Sequence, residues 1–290
     1  MKRVVIIILA LLVVSPFAFA KKRALLVGIS KYKMDWTTIH GSEDVALLEP
    51  VLIKQGFQVS TLTNAQATHD GIIKGLNTLK TQIKRGDIVY IHFSAHGQPV
   101  EDYNGDEKDK WDEAIVPYDA GSHFSKAYNG DKHIIDDVIN KYVSEMRRIL
   151  GPKGALYVVI DACHAGGSSR EGGTIRGSNE GLSRSNKKFD FRNAEDNGHY
   201  QLQNSSELAP AVFFEACTAK ERNKEIFVKG KEYGSLSYMV YLTLLDKKNG
   251  KIGAKPDAFE RAVRYIVNFS NYKSFWPKRQ TLVTESSYRN

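Results

Sequence analysis

Residues 155–167 read Ala155-Leu-Tyr-Val-Val-Ile-Asp-Ala-Cys-His-Ala-Gly-Gly167: six large or apolar residues, then an acid, a thiol, an imidazole and a run of small residues. A continuous apolar run of this length that breaks into a turn is the pattern of a strand buried on both faces. A helical pattern from about His133 to Leu150, stopped by Gly151-Pro152, precedes it, so the strand closes a helix-strand unit. The same grammar repeats upstream. Ala24 to Ile29 is an apolar strand ending in a turn, a helical pattern starts at Ser42, Phe57 to Leu62 alternates, Thr68 caps a helix reaching about Lys84, and Asp87 to Ser94 is again β. Downstream lie a strand at Ala211 to Ala216, helical patterns at Ser235 to Leu245 and Asp257 to Phe269, and a short strand near Thr281 to Thr284. Strands and helices in alternation predict an α/β fold with a mostly parallel sheet covered on both faces.

Composition agrees. The 290 residues are 42% hydrophobic and 26% charged, which excludes disorder, collagen and coiled coil. Two cysteines, Cys163 and Cys217, make no disulfide framework. At the N-terminus Met1-Lys2-Arg3 precedes an apolar run from Val4 to Val14 and the small-residue ending Ala18-Phe-Ala20, the grammar of a signal peptide cleaved after Ala20. Eleven apolar residues fall short of the roughly 20 a spanning helix needs, so no stable membrane anchor is expected after cleavage. The expected product is exported, periplasmic or extracellular. Removing residues 1–20 takes away two basic side chains, and the formal charge falls from +8 to +6. A positive charge alone permits nucleic acid as a partner, but no nucleic-acid module or sustained basic helix supports it, and none is expected.

Functional residues of open parallel sheets gather beyond the carboxyl ends of the strands. There His96, in Ser94-Ala-His-Gly97, and Cys163 both sit in small-residue turns that let a substrate backbone approach closely. If the two strands are neighbours, imidazole and thiol face each other, as a thiol nucleophile with a proton-transferring histidine requires. The backbone amides of Gly97 and Cys163 would then stabilise a developing oxyanion. From Gly166 to about Ser206 periodicity is lost in Gly, Ser, Asn, Arg and Lys, a functional or mobile loop. The expected organisation is a leader (1–20) and one domain (21–290), with a large first part (21–167), a basic linker (168–206) and a smaller last part (207–290).

Ala24 to Ile29 with Tyr32, Ser94-Ala-His-Gly97, the acidic stretch ending in Asp112-Glu-Ala-Ile-Val-Pro-Tyr-Asp119, and Asp161-Ala-Cys-His164 occur in an order that resembles the metacaspases and bacterial caspase-like cysteine peptidases. Phe213-Phe-Glu-Ala-Cys-Thr218 and Tyr233-Gly-Ser-Leu236 resemble the small-subunit region. The resemblance implies a caspase-like three-layer sandwich around a six-stranded sheet, and a His96/Cys163 dyad acting as a cysteine endopeptidase. It also implies an acidic pocket at Asp161, Ser94 and Asp44, suited to protein or peptide substrates with Arg or Lys before the scissile bond. A buried carboxylate pair favours a guanidinium fork or an ammonium.

The chemistry requires no cofactor, but the family often carries an activating calcium site. Its carboxylates would fall at Asp112, Asp136 and Asp137, with Arg170 where another ligand is expected. The acidic run from Glu101 to Glu113 otherwise reads as a solvated hairpin. The alternative to an enzyme is an idle caspase-like domain used for binding or as a scaffold, prompted by Ala95 in place of the usual glycine and by Arg170. The linker itself carries Arg170, Arg176, Arg184, Lys187 and Lys188, all residues that an Arg/Lys peptidase would cut. The purified mature protein should therefore nick within residues 170–190 while Cys163→Ala stays intact, and identical fragments from the alanine variant would refute self-processing.

Overall fold

The computed structural model describes residues 20–126, 128–163, 173–178, 180–194, 200 and 202–288. Residues 1–19 of the expected 1–20 leader lie outside them. Five parallel strands form the centre: β1 (Lys22–Gly28), β2 (Phe57–Thr63), β3 (Ile88–Ser94), β7 (Ala155–Asp161) and β8 (Ala211–Glu215). An antiparallel edge strand, β11 (Val283–Ser286), completes the order β11-β8-β7-β3-β1-β2. The strands β3 and β7 are buried along their whole length, as their unbroken apolar runs require.

Alternation sends side chains of each strand to two helical layers. Leu25, Val27, Ile91 and Val158 pack under α2 (His69–Gln82) and α3 (Asp136–Leu150), through Ile72, Leu76, Ile139, Val143 and Met146. Ala24, Leu26, Tyr90, Val159 and Phe214 face α1 (Gly41–Lys54), α4 (Ser235–Leu245) and α5 (Pro256–Asn268), through Leu48, Leu52, Leu236, Met239 and Phe259. The result is the three-layer α/β sandwich. Thr68 caps α2 by accepting from Gly71 N at 3.0 Å. Helix α3 starts later than its sequence pattern, because Ile134 and Ile135 form the short strand β6 (Ile134–Ile135) against β5 (Trp111–Ile115).

Periodicity did not show the small sheets. Strand β4 (Gly97–Glu101) turns back through an acidic tip into β5, and β9 (Glu225–Val228) pairs with β10 (Lys231–Gly234). The acidic run is thus a hairpin, although its last residues, Asp112 and Glu113, point into buried space. Part of the linker is packed rather than free: Leu182 is buried with Val100, Ala114 and Tyr128. No helix among the described residues is long and apolar enough to cross a membrane.

His133 joins this hairpin to the main body, bonded to the Tyr128 hydroxyl through Nδ1 at 2.6 Å and to Gln98 Oε1 through Nε2 at 2.9 Å. Burial holds its imidazole neutral and pulls its pKa down to about 3. The unfolded chain takes up that proton near the ordinary histidine value and the folded chain does not, so the contribution to stability is intact above about 6.5 and lost as pH falls toward 3. The stability of the wild type relative to His133→Gln, measured by urea denaturation, should therefore decrease between pH 7 and pH 5. A difference that stays constant would refute it.

Candidate active site

Register places the two sequence candidates together. Strands β3 and β7 are neighbours with Ser94 opposite Asp161, so His96 and Cys163 each lie two residues beyond that pair. The turns touch: a Cβ on Gly97 would sit 2.5 Å from the Cys163 carbonyl oxygen, so only glycine permits this approach. His96 is 1% exposed, its ring against Tyr32 and Trp36 with centroids 5.2 and 5.0 Å away. Its backbone N–H donates to the Tyr32 hydroxyl at 2.7 Å. Nε2 lies 2.9 Å from the carbonyl oxygen of Thr37, which only accepts, so Nε2 carries the proton and Nδ1 the lone pair. Nδ1 is buried and has no partner among the described residues. Burial lowers the imidazole pKa to about 4, with the Thr37 carbonyl opposing and the charge of Arg176 assisting.

Cys163 and Cys217 are both buried free thiols, with Sγ atoms 3.3 Å apart. Cys163 Sγ donates to the carbonyl of Glu221 at 3.0 Å. The contact with Cys163, then burial, pushes the Cys217 thiol well above its ordinary pKa.

Beside the dyad lies a cage of carboxylates filled by the chain itself. Arg176, one of the linker's basic residues, is completely buried. Its Nη2 donates to Asp44 Oδ2 at 2.8 Å and to Glu225 Oε1 at 2.8 Å. Nε donates to the same Glu225 oxygen at 2.9 Å, and Nη1 donates to Ser94 Oγ at 2.6 Å. Asp161 Oδ2 lies 3.7 Å from Nη1 and accepts from the Ser237 backbone and hydroxyl, both at 2.7 Å. Burial opposes the charge on Arg176, but Asp44, Asp161 and Glu225 outweigh it and raise the guanidinium pKa further. Asp44 is itself pushed up to about 6, by burial first and by Asp161, against the pull of Arg176.

The backbone around Arg176 is equally constrained. Its carbonyl oxygen accepts from Cys163 N at 2.9 Å and from Gly97 N at 3.3 Å, the two amides that sequence reasoning assigned to an oxyanion. Residues 174–176 lie against residues 223–225: Arg176 N donates to Asn223 O at 3.1 Å and Glu225 N to Thr174 O at 2.9 Å. Gly234 closes the cage, since a Cβ there would fall 2.5 Å from Arg176 Nη1 and 2.2 Å from Asp161 Oδ2.

The candidate calcium carboxylates separate. Asp112 and Asp137 offer oxygens within 4.8 Å of each other and of Asp106. Asp136 is buried at the start of α3 and lies outside this trio, within electrostatic reach of Tyr200. Asp112 Oδ1 is buried without a hydrogen-bond partner among the described residues. Burial, then Asp102, Asp137 and Asp106, raises the Asp112 carboxyl to about 7. Three hard oxygen donors, one of them orphaned, fit a hard cation. Arg170 and His164 lie outside the described residues.

Asp44, Ser94, Asp161, His96, Gly97 and Cys163 thus converge. Sequence reasoning missed Glu225, Asn223 and Gly234. The only signal for Glu225 was an acidic residue opening an apolar run, Glu225-Ile-Phe-Val228.

Comparison with known proteins places this geometry. The family description "metacaspase, peptidase C14 domain" matches residues 22–169. Metacaspase-3 of Arabidopsis thaliana is 35% identical over 162 residues, covering 52% of this chain and 41% of that protein. Metacaspase-1 of Plasmodium falciparum is 29% identical over 160 residues, covering 51% and 24%. The chain thus spans less than half the length of these relatives. The crystal structure of a Geobacter sulfurreducens protein has a TM-score of 0.61 at 19% identity, over 92% of this chain and 93% of that one. Pro-sf-caspase-1 has a TM-score of 0.53 at 12% identity, over 92% and 88%, and both likenesses are of fold. With the family description spanning half the sequence, from β1 past Cys163, the chain belongs to the metacaspase family of peptidase C14 domains.

Proposed function

We propose that this chain is an exported cysteine endopeptidase that hydrolyses peptide bonds after Arg or Lys, and that Arg176–Gly177 is its first substrate bond. One observation carries the reading: Arg176 fills the carboxylate cage while its carbonyl oxygen rests on the amides of Cys163 and Gly97. Its flanking residues add to the edge at 223–225 as an extended substrate strand does.

In this reading the Cys163 thiol passes its proton to His96 Nδ1 and the sulfur adds to the Arg176 carbonyl carbon. The oxyanion stays on the two amides that already hold the oxygen. The imidazolium returns its proton to the amide nitrogen of Gly177 as the C–N bond breaks, leaving a thioester on Cys163 that water hydrolyses. Asp44, Asp161 and Glu225 supply specificity through charge, and Ser94 relays between Nη1 and Asp44 Oδ2, to which it donates at 2.7 Å. Asp106, Asp112 and Asp137 would hold calcium at the hairpin, where the ion supplies charge neutralisation. A calcium-dependent rise in melting temperature, abolished in Asp112→Asn, is the expected outcome, and an equal rise in the variant would place the ion elsewhere.

Expressed with its leader, the protein should yield two fragments whose N-terminal sequencing begins at Lys21 and Gly177, and Cys163→Ala only the first of these ends. Cleavage at another linker residue, or an intact leader, would overturn the corresponding part. Fluorogenic peptides ending in Arg, Lys or Asp should be cleaved at the basic residues only, with Cys163→Ala slower by at least about 10³-fold. Gly234→Ala, which fills the space of the guanidinium, should lower kcat/KM for the Arg peptide by roughly 100-fold, about 2.7 kcal/mol. Turnover of Asp peptides but not Arg peptides would overturn the acidic-pocket reading, and turnover of none would favour the idle binding domain instead.

A further inference from the structure

Glu225 does something to Arg176 that no other carboxylate in the cage does. Asp44 meets only Nη2, and Asp161 stands 3.7 Å from Nη1. Glu225 Oε1 alone takes the Nε edge, accepting from Nε at 2.9 Å and Nη2 at 2.8 Å. That edge exists in a guanidinium and not in an ammonium. In lysine a methylene stands where arginine has Nε, and the single nitrogen ends about one C–N bond, about 1.3 Å, short of the Nη positions.

The carboxylate is held for this contact from behind. His40 Nδ1 lies 2.6 Å from Glu225 Oε2, and the His40 backbone N–H donates to Oε1 at 2.7 Å. Burial pulls the His40 pKa down, but Glu225, Glu232 and Glu43 outweigh it and raise the pKa overall. The Glu225 side chain is 1% exposed, and its backbone N–H pairs with Thr174, two residues before Arg176. It therefore has little freedom to follow a shorter side chain.

We propose that Glu225 makes this pocket select arginine over lysine, by reading the Nε edge of the guanidinium. The inference rests on the proposed peptidase reading and narrows its substrate class. With lysine bound, the buried Glu225 oxygen faces a methylene and the ammonium shares three protons among acceptors placed for a fork. A site built around a donor penalises the analogue that lacks it.

Matched peptides differing only in Arg or Lys before the scissile bond provide the first test. The processed wild type should show a kcat/KM ratio of roughly 100 in favour of Arg, since the charge is kept and only the Nε edge is lost. Glu225→Gln should bring the ratio to about 10 or below and Glu225→Met close to one. A wild-type ratio near one, or an unchanged ratio in variants with native circular dichroism, would overturn the inference. A second test needs no turnover: melting temperatures of the full chain in a Cys163→Ala background, with Arg176→Lys and Glu225→Gln singly and together. Arg176→Lys should lower the melting temperature clearly with Glu225 present and much less with Gln. Additive shifts would overturn the proposal. Absence of all cleavage by the wild type would count against the peptidase reading, while the melting cycle still decides the Glu225 contact.

Discussion

A guanidinium enclosed by three carboxylates, all out of water, is the constraint around which this molecule is arranged. Each of Asp44, Asp161 and Glu225 carries a desolvation cost that several kcal/mol per ion describes, and their mutual repulsion adds to it. Only a cation in the centre offsets both. Asp44 shows how close the balance is, since burial leaves its carboxyl at about 6 even with Arg176 bonded to it. A neutral or acidic side chain in the cage would leave these charges unpaired. The docking of the linker and the proposed preference for a basic residue thus have one physical cause.

The cage is assembled from distant parts of the chain, which ties its charge to the integrity of the fold. Asp44 comes from the first turn of α1, Ser94 and Asp161 from the ends of adjacent strands β3 and β7, and Glu225 from the start of β9. The carboxylates also close helix and strand ends. Asp161 accepts from Ser237 N in the first turn of α4, where an N–H has no partner within the helix, and Asp44 accepts from Gly234 N at 3.0 Å. Asn223 adds a bond to Asp161 Oδ1 at 2.6 Å. The proposed specificity and the architecture therefore use the same atoms, and a charge-removing substitution in the cage acts on both.

The core strands were legible in the sequence because strands buried on both faces read as apolar runs. Register did the rest for His96 and Cys163, since equal offsets from Ser94 and Asp161 become proximity once β3 and β7 pair. The small hairpins were not legible, because four- and five-residue strands with Glu, Lys and Gly carry no period. Arg176 was named in the sequence among five linker bases, and nothing local distinguishes it from Arg184 or Lys187. Its burial comes from carboxylates that are 15, 49 and 132 residues away, a long-range property that composition averages out. Asp136 and Asp137 show the converse limit: adjacent residues at a helix start diverge by about 100° around the axis, so only Asp137 joins Asp112 and Asp106.

The same enclosure that binds Arg176 also sets the state of the dyad. The Cys163 proton is held by the Glu221 carbonyl, and burial keeps the imidazole of His96 neutral with a pKa near 4. Moving the proton from sulfur to Nδ1 would create a thiolate and an imidazolium in a site closed to solvent, where separated charges cost most. The positive charge of Arg176 acts against the imidazolium as well. A docked linker therefore brings the Arg176 carbonyl to the amides while it holds the proposed proton transfer back. Anything that readmits water around His96 raises the imidazole pKa toward its ordinary value and favours that transfer. In the proposed reading, the barrier to the first cleavage then lies in the dryness of the closed site rather than in the placement of the bond.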